Sequence, residues 1–353
     1  MSTDNSQRPP RSPMRRSLRW IAGGVLIVVL VVEIVLIWPE FSQSVRSLGD
    51  IRWGWLVAAV AASFVSMASF ASVQRTLLRV ADVVVRQRQS LAVALAANSM
   101  SVTLPGGPLV ATTFTYRATR KWGATPVVAS WQLVMAGALQ AIGLAVIGVG
   151  GALLVGASSN PFSLLFSAAG LFVFAVVAQY AASRPGALEG VGVTALRMVN
   201  RVRKKDPEHG VARWSRIVDQ IGAVRMTRGD SARSLGWSLL NWLSDAACLA
   251  FACYAIGGFP SIAGLAVAYA AGNAAKSAIP LLPAGLGVMD AVLVPALTAA
   301  GLTGAQAVSA VVVYRLVSFL LVAAVGWIVF AFRFRGKVHD DTDDVDLENL
   351  WRE

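Results

Sequence analysis

The sequence alternates between long apolar runs and short basic segments, a pattern typical of a bundle of membrane-spanning helices. The first run, residues 20–38, has 19 residues and as an α-helix is about 28 Å long, enough to cross the hydrocarbon core. In the whole chain 56% of the residues are hydrophobic, 14% are charged, and the mean hydropathy is +0.62. This apolar content exceeds what a soluble core of this size needs. The chain is therefore predicted to be an all-α polytopic membrane protein.

Basic residues give the predicted topology, because Lys and Arg gather in the cytoplasmic segments of membrane proteins. Five arginines precede the first apolar run, so both the N-terminus and, after an even number of crossings, the C-terminus are predicted to be cytoplasmic. About six full spans are predicted, at 20–38, 53–74, 125–154, 161–182, 234–257 and 305–332. The predicted divisions are a disordered basic N-terminus (1–19), a first membrane half (20–182), a basic cytoplasmic loop (183–233), a second membrane half (234–333) and an acidic cytoplasmic tail (334–353).

Two further apolar segments are predicted to begin and end on the same side of the membrane, so neither is predicted to cross it. Segment 91–116 lies between two basic clusters and is predicted to be re-entrant from the cytoplasm, whereas segment 260–303 is predicted to be a broken hairpin that enters from outside. The turns are expected at Pro105, Gly106 and Gly107 in the first segment and at Pro283, Gly285 and Gly287 in the second.

The two broken segments resemble each other, which indicates an inverted repeat. NSMSVTLPGGPL (98–109) and KSAIPLLPAGLG (276–287) each place a polar residue seven positions before a proline and two small residues. Further along, Trp131-Gln132-Leu133-Val134 matches Tyr314-Arg315-Leu316-Val317. Broken helices at matching places of two oppositely oriented halves point to the central binding site of a transporter. The half-helix ends there would favour an anionic group such as a lipid phosphate.

Ionisable residues inside the apolar stretches are the candidate site residues: Asp245, Lys276, Asp290 and Arg315, with Glu33 nearer an outer end. Each costs at least a few kcal/mol to insert, so each is expected to face the protein interior and to have a partner. Two interpretations stay open. The residues form salt bridges between helices, or Lys276 and Arg315 bind a phosphate while the aspartates balance them, bind a cationic headgroup portion or carry protons. A hairpin would be able to bring Lys276 and Asp290 together across the turn.

Neutral polar residues inside the spans have a similar double interpretation. They supply hydrogen bonds to a substrate or only join helices: Asn98, Gln132, Gln140 and Asn241.

No catalytic residue, metal site or cofactor is predicted. Cys248 and Cys253 lie five residues apart in one apolar run, and both histidines lie in polar loops, which gives no metal-binding spacing. No phosphate-binding loop motif is present, so ATP is not expected to drive transport. The net charge of +12 follows the topology, and no nucleic-acid partner is expected. Enzymatic activity is not expected either.

Three motifs resemble the lysylphosphatidylglycerol synthetase/flippase transmembrane domain family, the membrane part of the MprF proteins: LPGGPL (104–109), LLPAGLGVMD (281–290) and YRLVSFLL (314–321). The resemblance spans about residues 20–333. In the family's turn, Ala284 replaces the first glycine and Asp290 stands where the family usually has Glu, while Arg315 falls on its Tyr-Arg pair.

The resemblance implies a flippase or scramblase of a bacterial inner membrane that moves a phospholipid or glycolipid, with aminoacylated phosphatidylglycerol as one candidate. No synthetase activity is expected, since a short acidic tail stands where MprF proteins carry that domain. The expected partners are the lipid substrate and anionic lipids at the loop 183–233, and a homodimer stays an open alternative to a monomer. The alternative functions are an ion-coupled transporter of a small anion and a non-transporting scaffold. A lateral opening to lipid would favour the flippase, and a closed cavity the anion transporter.

Overall fold

The computed structural model describes residues 52–104, 106–155, 226–278 and 287–334. Within these ranges the chain is helical and has no β-strand. The helices are α1 (Trp53–Val80), α2 (Gln87–Thr103), α3 (Gly107–Lys121), α4 (Pro126–Val155), α5 (Arg228–Ala255), α6 (Ile262–Ala278), α7 (Val288–Ala299), α8 (Gly304–Arg315) and α9 (Val322–Arg333), and a π-helical segment, Leu316–Leu321, joins α8 to α9. The predictions for 1–51, 156–225 and 335–353 lie outside the described residues, as do those for Pro105, Pro283 and Gly285.

Three of the described helices are long and apolar enough to cross a membrane: Trp53–Val80, Pro126–Leu154 and the continuous helix Gly304–Arg333. They coincide with three of the six predicted spans. A fourth helix, α5, has the same length as α1, 28 residues, but is more polar. The other two predicted spans fall outside the described residues, so the total of six stays a prediction.

Helix α5 begins at Arg228, six residues before the predicted start of its span. Thr227 and Asp230 explain the difference, because each side chain satisfies the other's backbone amide in a capping box. The Thr227 Oγ1 atom accepts from the Asp230 amide at 3.1 Å, and the Asp230 Oδ2 atom accepts from the Thr227 amide at 3.4 Å. The basic residues at the end of the predicted loop 183–233 therefore form the first turns of a helix.

Both predicted breaks separate pairs of helices that pack against each other, α2 with α3 and α6 with α7. At the first break Gly106 adopts a left-handed conformation, with φ of 64°. Gly107 leaves no room for a side chain, because a Cβ atom there would overlap the backbone oxygens of Met100 and Ser101. After the second break Gly287 also has a positive φ, 76°, and its amide donates to Asp290 Oδ2 at 3.3 Å. Entry into the membrane from one side or the other stays a prediction.

The order of helices repeats along the chain. A helix of 28 residues is followed by one of 17, then by a shorter helix of 15 or 12, and then by 30 continuous helical residues, first in α1 to α4 and again in α5 to α9. The packing repeats too, since α4 packs on α6 and α9 packs on α2. The repeat of element order agrees with the sequence match, whereas the opposite orientation of the halves stays a prediction.

The long first helices of the two halves, α1 and α5, share an extensive contact in the middle of the protein. Their crossing is polar at one point, where Asn241 Nδ2 donates to the backbone oxygen and the Oγ atom of Ser66 at 3.0 and 2.7 Å. Small residues such as Ala59 and Ala252, both fully buried, let the two helices approach closely. This central contact positions the helices that carry the candidate site residues.

Candidate functional site

Four helices of the second half bring the predicted ionisable residues together into a charged cluster, which we define as Asp245 on α5, Lys276 on α6, Asp290 on α7 and Arg315 on α8. Asp290 pairs with Arg315: the distance from Arg315 Nε to Asp290 Oδ1 is 2.6 Å. The expected contact between Lys276 and Asp290 across the turn is not seen. Instead, Lys276 Nζ lies 4.9 Å from the centroid of the Phe319 ring.

Phe319 holds both cations of the cluster. The Cζ atom of Arg315 lies 5.3 Å from the same ring centroid, so a single aromatic ring contacts two positive side chains. The ring belongs to the π-helical segment, a local widening of the helix that is frequent at functional sites. The Nη2 atom of Arg315 is buried and has no hydrogen-bond partner. The cluster therefore contains a cationic donor that no described protein group satisfies.

Asp245 is held by two tyrosines. Its Oδ2 atom accepts hydrogen bonds from the hydroxyls of Tyr269 at 2.6 Å and of Tyr314 at 3.0 Å, and both tyrosines are buried. Asp245 also interacts electrostatically with Lys276. The carboxylate is thus fixed by neutral donors as well as by a charge, as intramembrane ionisable groups require.

Sequence reasoning did not single out Tyr269, Tyr314 or Phe319 as site residues. Two signals were available: Tyr314 and Phe319 stand in the quoted YRLVSFLL motif, and Tyr269 lies seven residues, two helical turns, before Lys276. Tyr269 therefore falls on the face of α6 that carries Lys276, and Phe319, four residues after Arg315, falls on the face that carries the arginine.

A second feature is an open cavity of about 330 Å³ between α1, α2, α3 and α4, whose surface is mostly apolar but includes seven polar side chains. We call it the neutral cavity, because all of its polar lining side chains are uncharged: Gln74, Asn98, Ser101, Thr112, Thr115, Gln132 and Gln140. One amide atom of each of the three glutamines is buried without a hydrogen-bond partner. Gln132 and Gln74 are only 2% and 3% exposed. Of these residues, the sequence interpretation named Asn98, Gln132 and Gln140.

One wall of the neutral cavity lies at the protein surface. Pro108, Thr112 and Gly137 line the cavity and are also exposed. Beside them, Leu109 and Val134 are 75% and 65% exposed, and both are apolar. The neutral cavity therefore opens at a surface that carries exposed apolar side chains.

The two features occupy matching places in the two halves. Asn98 and Lys276 stand seven residues before the paired prolines, and Thr112 and Asp290 stand seven residues after them. The third match is Gln132 with Arg315. All three members from the first half line the neutral cavity, and all three from the second half belong to the charged cluster.

Among the predicted turn residues, Gly106, Gly107 and Gly287 are seen at the helix breaks. Gly287 is linked to the charged cluster by the hydrogen bond that its backbone amide donates to Asp290 Oδ2. Within the described ranges no group of three or more potential metal ligands is found.

Helices long and apolar enough to cross a membrane, broken helix pairs and buried ionisable residues together define an integral membrane protein of the polytopic helical class. The model of the lysylphosphatidylglycerol synthase TM region family matches residues 20–326, most of the chain, so the protein belongs to that family. The predicted family is confirmed. A search of the curated proteins finds no match.

Proposed function

We propose that the protein is a lipid flippase or scramblase that binds the phosphate of a lipid headgroup at Lys276 and Arg315. The observation that carries this proposal is the buried, unpartnered Nη2 atom of Arg315 beside a second cation on the same aromatic ring. Leaving such a donor unpaired inside a membrane protein costs free energy, which a bound acceptor would recover. Family membership supports a lipid-related role in the membrane.

Phosphate fits the cluster because it is an acceptor with several oxygens and a negative charge. A guanidinium presents a planar fork of donors, and Asp290 uses only the Nε side of that fork in Arg315. Lys276, whose ammonium group contacts the same Phe319 ring, would add a compact positive charge. Asp290 is about one-third exposed, with a side-chain exposure of 33%, so it is able to move away when another anion arrives.

Exposed apolar residues beside the charged cluster support a lipid in preference to a small soluble anion. Leu316, next to Arg315, and Leu320, next to Phe319, are 40% and 62% exposed, so a headgroup at the cluster would leave its acyl chains in the bilayer, whereas a small anion needs a site closed to lipid. The aminoacylated phosphatidylglycerol suggested by the family would also bring a cationic amine, for which Asp245 is the candidate partner. Coupling to protons through Asp245 or Asp290 is part of the same proposal.

The test is transbilayer movement of headgroup-labelled phosphatidylglycerol and of its lysyl ester in proteoliposomes. Arg315→Gln and Asp290→Asn are compared with wild type, and Arg233→Gln serves as the matched control because Arg233 is exposed and lies outside the cluster. We expect both cluster variants to lose at least nine-tenths of the rate while the control keeps it. Equal rates for all four folded proteins would end the proposal.

The same vesicles separate the alternatives. Uptake of radiolabelled phosphate without lipid movement, lost in Arg315→Gln, would indicate a transporter of a small anion. Absence of both movements in a folded protein would favour a scaffold, with the charged cluster acting only to join helices.

A further inference from the structure

We infer that the neutral cavity is a second headgroup site, which binds an uncharged, hydroxyl-rich group such as a sugar. The inference rests on the proposed function only for the lipid that would carry the sugar, because the cavity itself is defined by its side chains. It goes beyond a phosphate site by assigning a different ligand chemistry to the first half of the protein.

The free amide atoms of Gln74, Gln132 and Gln140 carry the argument. Three buried polar atoms without partners belong to side chains that line one cavity, and a ligand that reaches them would give each a hydrogen bond. An amide offers a donor at one end and an acceptor at the other, and a hydroxyl group both donates and accepts. A hydroxyl-rich ligand therefore satisfies all three amides whichever end faces the cavity.

A phosphate or carboxylate fits the same cavity poorly. No Lys or Arg is among its lining residues, so a bound anion would enter without a compensating charge. An uncompensated buried charge costs much more than an uncharged polar group that makes its hydrogen bonds. The neutral lining thus selects against the ligand that the charged cluster favours.

The repeat gives an independent reason to regard the cavity as a site. Asn98, Thr112 and Gln132 occupy the places that Lys276, Asp290 and Arg315 occupy in the other half. Positions that gather polar side chains in both halves, with different side chains in each, fit two sites better than chance packing. Helix contacts alone would not require unpartnered amides at a cavity wall.

The size of the cavity fits a small headgroup. Its volume of about 330 Å³ lies at the lower end of the range of about 300–1,000 Å³ that ligand sites occupy. A single sugar ring is of this order, and its lipid chains would leave past the exposed residues Pro108 and Leu109.

The test is native mass spectrometry of the purified full chain with four probes: monoglucosyl-diacylglycerol, diacylglycerol with the same chains, phosphatidylglycerol and free glucose. We expect monoglucosyl-diacylglycerol to bind at least tenfold more tightly than diacylglycerol and, in Arg315→Gln, which lacks the proposed phosphate site, at least tenfold more tightly than phosphatidylglycerol. Gln132→Leu, which removes the amide at similar volume, should abolish this preference. Arg315→Gln should retain it, because Arg315 does not line the cavity.

Gln140→Leu provides a second variant if Gln132→Leu fails to fold, as judged by size-exclusion chromatography and circular dichroism. Glucose binding that Gln132→Leu abolishes would support the same chemistry and assign it to a soluble sugar. Tighter binding of phosphatidylglycerol than of the glucosyl lipid in Arg315→Gln, or an unchanged preference in both leucine variants, would overturn the inference. Absence of phospholipid movement by the wild type, with intact glucosyl-lipid binding, would count against the proposed function alone.

Discussion

Replacing Asp245 by leucine tests how the second half holds its buried polar groups. The change removes the acceptor of the Tyr269 and Tyr314 hydroxyls. These two tyrosines are 0% and 1% exposed, so water does not replace the lost acceptor. Hydrogen bonds between membrane helices contribute about 0.6 kcal/mol each on average, so the loss of two sets a lower bound of about 1 kcal/mol on the destabilisation. Two unpaired buried hydroxyls at up to about 3 kcal/mol each set an upper bound of about 6 kcal/mol. We therefore expect the free energy of unfolding to fall by between these values.

Asp245→Asn is the matched control, because an amide oxygen still accepts from both tyrosines. We expect it to lose less than half as much stability as Asp245→Leu. Adding Tyr269→Phe and Tyr314→Phe to the leucine variant should restore part of the loss, since no hydroxyl is then left unpaired.

The assay is equilibrium unfolding in mixed detergent micelles, followed by circular dichroism at several detergent ratios. The reasoning is refuted if Asp245→Leu unfolds within about 0.5 kcal/mol of wild type, the range usual for substitutions away from such features. It is refuted equally if the asparagine variant is as unstable as the leucine variant, because the charge and not the acceptor would then matter.

Two other predictions concern packing and topology. Gly326→Ala should destabilise by about 1–3 kcal/mol in the same assay, because its Cβ would overlap Ser99 Oγ on the neighbouring helix. Gly137→Ala, whose Cβ meets nothing within 4 Å, should stay within about 0.5 kcal/mol, and equal losses would contradict the packing argument. In a chain with both native cysteines replaced, Thr112→Cys and Ala291→Cys, exposed positions after the two breaks, should react with impermeant maleimide from opposite sides of the membrane. Labelling of both from one side would end the inverted-repeat prediction.

Much of the architecture could be predicted because membrane helices are encoded by composition and local breaks. The three long apolar helices and the break at Gly106 follow from hydropathy and from residues with special backbone freedom. The start of α5 was misplaced because charge was weighed above a local cap, although Thr227 and Asp230 show the spacing of a capping box.

The composition of the charged cluster was predicted, but its pairing was not. Lys276 and Asp290 flank one turn in sequence, yet Asp290 pairs with Arg315 from a later helix. Which carboxylate meets which cation depends on the rotation of three packed helices, and one sequence does not encode this directly. Gln74 was missed for a similar reason: a glutamine near a basic helix end looks like an ordinary surface residue until the fold buries it.

The matched positions of the two halves have an energetic consequence. If the halves had kept identical side chains, a headgroup would meet equivalent surroundings, and bind with equal affinity, at either end of its path. Here Arg315 and Gln132 offer an ion and an amide at corresponding places. A headgroup passing between them would exchange ionic for neutral hydrogen bonds, so its free energy of binding would differ between the two ends according to its charge. The concentration gradient would still set the direction of net movement, whereas the side chains would decide at which end a given headgroup binds more tightly.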